Sequence, residues 1–599
     1  MTQPPPDIPA NLRLARRTLE EIPGVSVLTD WTFDWARFWR LEVELTPDHL
    51  GSENAVPATT RWFVRAQDDY PKGIIDILPA VHSGLPGIYA HQLPFTTREG
   101  APYRGAKICV ATDSEGNLRR QGDVEPRTAE DRLAWQITRA LGWIAQASNG
   151  TLLASGDPFE LPVYKVMGPP LFAFREGPAD LAFWSSIDDR VGIADLRRLD
   201  NSGDETWIVI AFRSLSRQLL FEPDWGIRIK SMQTHARTAI WLRVPRLVVR
   251  QPYEAPSTWG ELADAFAEQG ASLFEGLQRG TAGLHDGATH PLLIGFPVPE
   301  RIGDPMHQMH WLTIELPTLE RQAPDGFRVN DIGLWMASSG GTFHPASKLE
   351  WVVSENWHPD ELANRGRLNA ALTAKKILLI GAGALGSAVA ELLVRAGVAH
   401  LEVVDDQRLK AGNLVRHTLT LSDLGDWKAN ALARRLNAAS PNVSVAARPS
   451  SLDQLSGEDL GSFDVVIETT GDRRVLQTMS EVEAPRPTAY ASLSVSLHSR
   501  RLFAYVANDT RFPLAEFDTA YAPFSRTDVD WAEELPMEGV GCWHPVFPTR
   551  ADELWLMASA AVSLLNDTPL AGHSFSRLHV IQRTVDSRGC FTGLESIAL

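Results

Sequence analysis

At 599 residues the chain is too long for one hydrophobic core, and three or four domains are expected. A content of 44% hydrophobic and 22% charged residues is ordinary for globular protein, and a formal net charge of −17 argues against nucleic acid or an anionic membrane as the main partner. Apolar runs such as Ile377 to Ala390 and Leu556 to Leu565 are too short to span a bilayer, and the opening MTQPPPDIPANLRLARR lacks the apolar core of a secretory signal.

The proline-rich start, through Pro9, is expected to be disordered. Leu12 to Glu21 has a helical pattern closed by Pro23-Gly24. Phe38 to Leu45, Arg61 to Ala66 and Ile74 to Leu78 tend to alternate apolar and polar residues, as strands with one covered face do. Prolines and glycines dominate Pro79 to Pro102, an irregular stretch containing His91-Gln92-Leu93-Pro94, and Gly105 to Val110 then carries Cys109. Thr128 opens an amphipathic helix with Asp131 at the capping-box position and Leu133, Ile137, Leu141 and Ile144 on one face; Asn149-Gly150 ends it. From Asp157 to Pro345, strand-like runs (Trp207 to Phe212, Ala239 to Val244, Trp311 to Leu316) alternate with a helix, Trp259 to Leu277. This is the composition of a folded α/β domain, with no catalytic motif. His307 and His310 would share a face only on a helix. Their run reads as strand, so no metal site is expected there.

The stretch that carries most chemistry is Lys375 to Asn413. Ile377 to Ile380 reads as a buried strand; Gly381, Gly383 and Gly386 give G-x-G-x-x-G; Leu385, Val389, Leu392 and Leu393 continue at helical spacing; and Leu401 to Val404 is a second strand closing on Asp405. Such glycines let backbone N–H groups and a helix N-terminus approach phosphates, while the acid takes ribose hydroxyls. At this level a dinucleotide and ATP fit equally well. Asn413, Arg416 and Lys428 follow, then Asp472 beyond the buried strand Phe463 to Glu468. Attack of a carboxylate on the α-phosphorus of ATP needs cations against the developing charge and a carboxylate to seat Mg²⁺. Lys428 lies in the first turn of a helix, Asp426 to Ala439, where it opposes the macrodipole unless an anion is bound. Asp509 to Gly541 lacks regular periodicity and is expected to be a crossover segment. Cys542 then precedes a helix, Asp552 to Leu565, whose dipole, with His544, would lower its pKa. None of Cys109, Cys542 and Cys590 forms a C-x-x-C pair, so neither a disulfide framework nor a four-thiolate zinc site is supported, and a reducing cytoplasm is the expected compartment. Cys590, in SRGCFTGL, reads as structural.

The order of Gly381, Gly383, Gly386, Asp405, Asn413, Arg416, Lys428 and Asp472 resembles the adenylating enzymes of the ThiF/MoeB and ubiquitin-activating family. That resemblance implies ATP in place of NAD. Asp405 would hold the ribose, Asn413, Arg416 and Lys428 the phosphates, and Asp472 the magnesium. It also implies a loop cysteine, Cys542, that accepts the activated carboxylate, and a homodimer across which Arg365 or Arg367 reaches the partner's ATP. The four-cysteine zinc site common in MoeB-like enzymes is missing. Asn11 to Gly156 resembles the ubiquitin-conjugating fold, with Cys109 of GAKICV as its active cysteine. The family's His-Pro-Asn triplet stands here as His91-Gln92-Leu93, without the asparagine that supports the oxyanion.

An activating and a conjugating domain in one chain resemble the fused enzymes of CBASS antiphage operons. In those, the C-terminus of a cyclic-nucleotide synthase is joined to target proteins or small amines. The expected fold class is α/β and α+β multidomain: a conjugating-like α+β domain over 1–156, a central α/β domain of unknown role over 157–350, and a Rossmann-like adenylation domain over 351–599. The expected function is adenylation of a protein C-terminal carboxylate, thioester transfer through Cys542 and Cys109, and ligation to an amine. The catalytic set would be Cys109, Cys542, Arg416 and Asp472, with ATP and Mg²⁺ as cofactors and no nucleic-acid or membrane partner. Three rivals remain. An NAD(P)-dependent oxidoreductase would leave Asn413, Arg416, Lys428 and Asp472 without duties. A sulfur-carrier adenylyltransferase would leave the front domain unexplained. The third is an adaptor with an inactive conjugating fold, hinted at by the missing asparagine.

Overall fold

The structure is a computed structural model. It describes residues 7–34, 38–49, 51, 56–96, 99–110, 125–200, 203, 205–321, 328, 330, 332–336, 343–451, 454–530, 535, 537–538, 544–545, 547–568 and 575–597. Cys542, and the proline-rich start before Asp7, lie outside the described residues. The chain divides into two units, Met1–Glu222 with His235–Asn356, and Pro223–Thr234 with Trp357–Leu599.

In the first unit, Val25–Val27, Thr32–Asp34, Phe38–Leu45, Thr60–Gln67 and Ile75–Pro79 form an antiparallel five-stranded sheet. The expected alternation is realised along Phe38–Leu45, where every second residue, from Trp39 to Leu45, is buried. Helices Ala10–Glu20 and Asp131–Asn149 complete the core: Leu12 and Leu19 of the first and Leu133, Ile137 and Ile144 of the second meet Leu41, Val43, Trp62 and Val64 of the sheet. Thr128 caps the longer helix by accepting the Asp131 N–H at 3.1 Å, and Gly150, at φ 68°, ends it.

The central region is an eight-stranded sheet in the order Val166–Phe174, Trp351–Asn356, Met306–Glu315, Pro291–Pro299, Ala236–Arg243, Val191–Arg198, Thr206–Ser214, Leu219–Phe221. An additional pairing, Leu171 with Thr206 through Ala173 with Ile208, closes the first seven strands into a barrel. The enclosed face is aromatic, with Phe172, Trp207, Phe212, Trp241 and Trp311 around Trp184 of helix Pro178–Ser186. Glu176 is fully buried there, accepting the indole N–H groups of Trp184 and Trp311 at 2.9 Å, and burial pushes its carboxyl up to about 8. The outer face packs on helices Trp259–Ala267 and Leu273–Thr281. One continuous helix was the expectation over this stretch. Gly270, at φ 70°, breaks it, and Ser272 recaps the second piece by accepting the Glu275 N–H. His307 and His310 lie on a strand as expected, with His310 half-buried against Phe174 and Phe296. Among the described residues no group of three or more metal-ligating side chains occurs, and no helix is long and apolar enough to cross a membrane.

The second unit is a doubly wound sheet in the order Ser444–Arg448, His400–Val404, Lys376–Ile380, Val465–Glu468, Thr488–Val495, Arg501–Asp509, Phe575–Val585, Phe591–Ile597. Its first five strands are parallel and the rest antiparallel. The chain winds outward in one direction from Lys376–Ile380, then returns to Val465–Glu468 on the other side, so the strand order reverses between these two. Open α/β sheets hold ligands at such a point, outside the carboxyl ends of the strands. The stretch expected to be an irregular crossover is a helix, Leu514–Asp530. Its internal Pro523 and weak polar-apolar separation hid it, but Phe517, Tyr521 and Phe524 fall on one face, and Phe517 stacks on Tyr521.

Candidate adenylation site

The loop after Ile380 is fixed by groups on its neighbours. Gly381, at φ 94°, donates its N–H to Val404 O at 2.8 Å, and its carbonyl accepts Thr469 Oγ1–H at 2.8 Å. Ala382 is gripped at both ends: its N–H donates to Asp405 Oδ2 at 2.7 Å, and its carbonyl meets His417 Nε2 at 2.6 Å. His417 Nδ1 accepts the Leu419 N–H, so the proton on this imidazole is on Nε2. Burial pushes His417 down to about 4, which keeps it neutral in this role. Gly386 permits the closest approach, because a Cβ there would sit 2.0 Å from Gly381 O and 2.4 Å from Thr469 Oγ1. Gly383 caps helix Ala384–Arg395, and a Cβ on it would meet nothing within 4 Å. Gly383 and Ala384, at the helix start, line open space, where unpaired helix N-terminal amides can receive phosphate.

That space is a cavity of about 550 Å³, lined by Gly381, Gly383, Asp405, Lys428 and Asp472 among others. Asp405 accepts the N–H groups of Ala382 and Gln407, one on each oxygen, and keeps lone pairs for ribose hydroxyls; burial raises its pKa, with Lys428 opposing. Lys428 is 6% exposed, gives one N–H to Gln407 Oε1 at 2.8 Å, and has its pKa lowered by burial, partly offset by Asp405. A largely desolvated ammonium beside an open pocket gains most when a phosphate enters. Asp472 caps helix Arg473–Glu481 and pairs with Arg474, whose hydrogen bonds lower its pKa. Its side chain is 38% exposed and that of Arg474 87%. Mg²⁺ commonly takes one or two carboxylates with phosphate oxygens and waters, so Asp472 fits a magnesium provided Arg474 swings away.

Arg416 lines an adjoining cavity of about 510 Å³, with Ser492, Ser494 and Ser496, that shares Ala384, Thr469 and Thr470 with the first. Its guanidinium donates to Phe547 O, and burial lowers its pKa. Asn413 is not among the residues lining either cavity; its side chain accepts the Lys410 N–H at 3.0 Å and shapes the turn. Arg367 pairs with Asp360, and Arg365 is exposed at the end of a short 3₁₀ turn.

Three residues not singled out from sequence matter here. His417 holds the loop, Thr469 spans it, and Glu468, 1% exposed, accepts N–H groups from Thr470 and Gly471 and the Ser492 hydroxyl. Glu468 thereby rigidifies the wall between the two cavities. The only signal was position at the end of the buried strand VVIE, one turn before Asp472.

Family comparison agrees with this geometry. The ThiF family matches residues 361–480 and the Cap2 central linker domain residues 150–357. The ATP-dependent ubiquitin transferase-like protein Cap2 of Enterobacter hormaechei subsp. hoffmannii (strain UCI 50) is 30% identical over 93% of this chain and 94% of its own length. The chain belongs to the Cap2 family. A sulfur carrier protein adenylyltransferase of Thermus thermophilus is 32% identical, over 20% of this chain and 46% of its own length. Of solved structures, E. coli MccB with ATP aligns with a TM-score of 0.26 and 15% identity over 40% of this chain and 66% of that one, too distant to argue from. As a Cap2-family member the chain is an ATP-dependent, ubiquitin transferase-like enzyme with a ThiF adenylation domain. The first rival, an NAD(P)-dependent oxidoreductase, has no support in this kinship.

In this Cap2-family chain Cys109 is exposed, against the commoner fate of free cysteine as a small buried hydrophobe. Its N–H donates to His91 O at 2.8 Å, and Leu93 N–H to Lys107 O at 3.0 Å, with Gln92 bridged to Ile108. Cys109 opens on a cavity of about 460 Å³ lined also by His91, Arg139, Trp143 and Asp157. Gln92 is 5% exposed, with its amide spent on Tyr89 N–H and Ala106 O. It supports the loop. Cys590, expected to be structural, is exposed in the hairpin turn that Asp586 closes.

Proposed function

We propose that this enzyme adenylates the C-terminal carboxylate of a protein and passes the acyl group through Cys542 and Cys109 to an amine. The observation that carries the reading is that two cavities lie side by side at the reversal point of the sheet and share Ala384, Thr469 and Thr470 in their linings. The glycine-lined one suits ATP. The other, lined by Ser492, Ser494, Ser496 and Arg416 among others, suits an extended peptide tail that ends beside Thr469 and Thr470. A carboxylate oxygen delivered there attacks the α-phosphorus, and pyrophosphate leaves toward Lys428 and the N-terminus of helix Ala384–Arg395. Magnesium held by Asp472 would add charge neutralisation on the phosphates.

The remaining steps divide one acyl transfer into easier ones. Cys542 Sγ attacks the acyl carbon and releases AMP; Cys109 Sγ displaces Cys542; an amine nitrogen displaces Cys109 and leaves an amide. The carboxylate donor is a cyclic-nucleotide synthase, as in the CBASS operons the sequence resembles, and the enzyme works as a homodimer through its adenylation domain. Exchange of labelled pyrophosphate into ATP, dependent on that synthase with an intact C-terminus, tests the first half. A thiol-sensitive adduct that disappears in Cys109→Ala tests the second. Exchange that proceeds equally with a synthase lacking its terminal residues would refute the reading.

A further inference from the structure

We propose that Glu468 is a positioning residue for both substrates: it sets the turn that presents Asp472 to the nucleotide, and it fixes the Ser492 hydroxyl as an acceptor for the peptide tail. This rests on the reading above that the first cavity takes ATP with magnesium and the second takes the tail. Glu468 ends the strand Val465–Glu468, with Ile380 of the glycine strand on one side and Ser492 on the other, where the strand order reverses. Its two oxygens have different partners. Oε1 accepts Thr470 N–H and Thr470 Oγ1–H, both at 2.5 Å, and Gly471 N–H at 3.1 Å. Oε2 accepts the Ser492 hydroxyl at 2.8 Å.

The Oε1 side leads to the carboxylate assigned to magnesium. Thr470 Oγ1 passes the restraint on by accepting Asp472 N–H at 3.0 Å, and Gly471, at φ 65°, makes the turn between them. Asp472 is thus held through its own backbone, the kind of support that hydrogen-bonded partners behind a metal ligand supply. The Oε2 side leads to the tail. Ser492 is 4% exposed and lines the second cavity. With its one proton committed to Glu468, the Ser492 hydroxyl has only lone pairs to offer, and a peptide backbone N–H is the group that takes them.

Burial makes this carboxylate costly to keep. Glu468 is fully buried, its four donors are uncharged, and burial raises its pKa. An apolar side chain would avoid that cost, but would hold neither the turn before Asp472 nor the Ser492 hydroxyl.

The test uses the full chain, with variants Glu468→Ala, Glu468→Gln, Thr470→Val, Ser492→Ala and the double variant Glu468→Gln/Ser492→Ala. Affinity for α,β-methylene-ATP, whose α-phosphorus cannot be transferred, is measured by calorimetry with and without Mg²⁺, and the ratio is the magnesium gain. KM for the cyclic-nucleotide synthase of the same operon is read from pyrophosphate exchange. Glu468→Ala should cut the magnesium gain by about 10-fold. Thr470→Val, which removes only the relaying hydroxyl, should cut it in the same direction, so this half stays open to refutation even if Glu468→Ala does not fold. Glu468→Gln should keep the magnesium gain, because an amide oxygen still accepts from Thr470 and Gly471. It should nevertheless raise KM about 5-fold, because its Nε2–H now donates to Ser492 Oγ and turns the hydroxyl proton toward the tail N–H. Ser492→Ala should raise KM by as much and add nothing in the double variant. An unchanged magnesium gain in both Glu468→Ala and Thr470→Val would overturn the role toward Asp472. An unchanged KM in Glu468→Gln, or additive losses in the double variant, would overturn the role toward Ser492. A fall in kcat alone, with magnesium gain and KM unmoved, would mean that Glu468 is only a structural wall. If the parent shows no magnesium gain, or exchanges pyrophosphate without the synthase, the reading of the two cavities itself fails, and the assignment with it.

Discussion

Around Gly381 to Gly386 the backbone is held from both flanking strands and from His417, whereas around Cys109 it is held by a short pair of extended segments, by a long Ile108 N–H bond to Ile77 O at 3.5 Å and by the Arg139 side chain on Val110 O. The first centre is made of regular structure: two parallel strands, a helix N-terminus and a carboxylate at a strand end. The second is made of an irregular run, with a left-handed histidine and a buried glutamine doing the work of a sheet. A phosphate pocket tolerates little movement, because its backbone donors must converge on one anion. A thiol that meets bulky partners gains from an open, loosely held rim.

If that contrast is right, the largest effect belongs to the glycine loop. Gly386→Val should abolish pyrophosphate exchange, since even its Cβ would stand 2.0 Å from Gly381 O, a backbone atom that cannot swing aside. Overpacking of this kind also removes about 1–3 kcal/mol of stability, to be read as a lower thermal midpoint. Retained exchange would mean that the loop is as yielding as the Cys109 rim. Lys428→Met comes next. It keeps the buried methylene stem and deletes the charge, so exchange should fall by about 10²–10³ with the fold intact by circular dichroism.

The sequence made the first centre legible because its chemistry follows periodicity. Glycines at fixed offsets after an apolar strand, then Asp405 at the next strand end, follow from the geometry of the unit, and Lys428 and Asp472 line the same cavity. Arg416 and Asn413 are only three positions apart, yet one lines the neighbouring cavity and the other shapes a turn, because a spacing does not say which way a side chain points. His417 was invisible, since its role depends on a carbonyl 35 residues away in the chain. The barrel closure was equally hidden. It turns on three residue pairs between Leu171 to Ala173 and Thr206 to Ile208, and nothing local marks a strand as the one that closes a ring. At Cys109 the GAKICV segment pointed to the thiol, but the partner of His91, Glu160, comes from outside the resembling segment.

A smaller effect sharpens the second half of the comparison. Gln92→Leu would leave Tyr89 N–H and Ala106 O without the amide that now joins them at 3.0 and 3.2 Å. Buried groups stripped of partners cost about 1–3 kcal/mol. In a loosely held rim that loss should stay local: faster amide exchange and faster proteolysis over 89–108, with pyrophosphate exchange unchanged. A drop in pyrophosphate exchange would mean that the two centres are coupled, and that the rim is not independent of the adenylation sheet.

The gentlest probe is acid. His417 has its pKa lowered in the fold, from an ordinary 6.5 to about 4, so the folded protein binds fewer protons there than the unfolded chain does between those values. Its contribution to stability is therefore complete above pH 6.5 and lost as pH falls toward 4. His417→Gln cannot titrate, and its amide can still donate to Ala382 O and accept from Leu419 N–H. The stability of the parent should fall relative to this variant as pH drops through that window, by about 1–2 kcal/mol once solvent screening at a half-buried site is allowed for. Thermal midpoints of both proteins at intervals from pH 7 to pH 4 give the measurement, with amide exchange at Gly381 to Leu385 reporting where the loss falls. Parallel curves would mean that protonation of Nδ1, which takes the acceptor from Leu419 N–H, leaves the loop in place with Asp405 and Thr469 holding it.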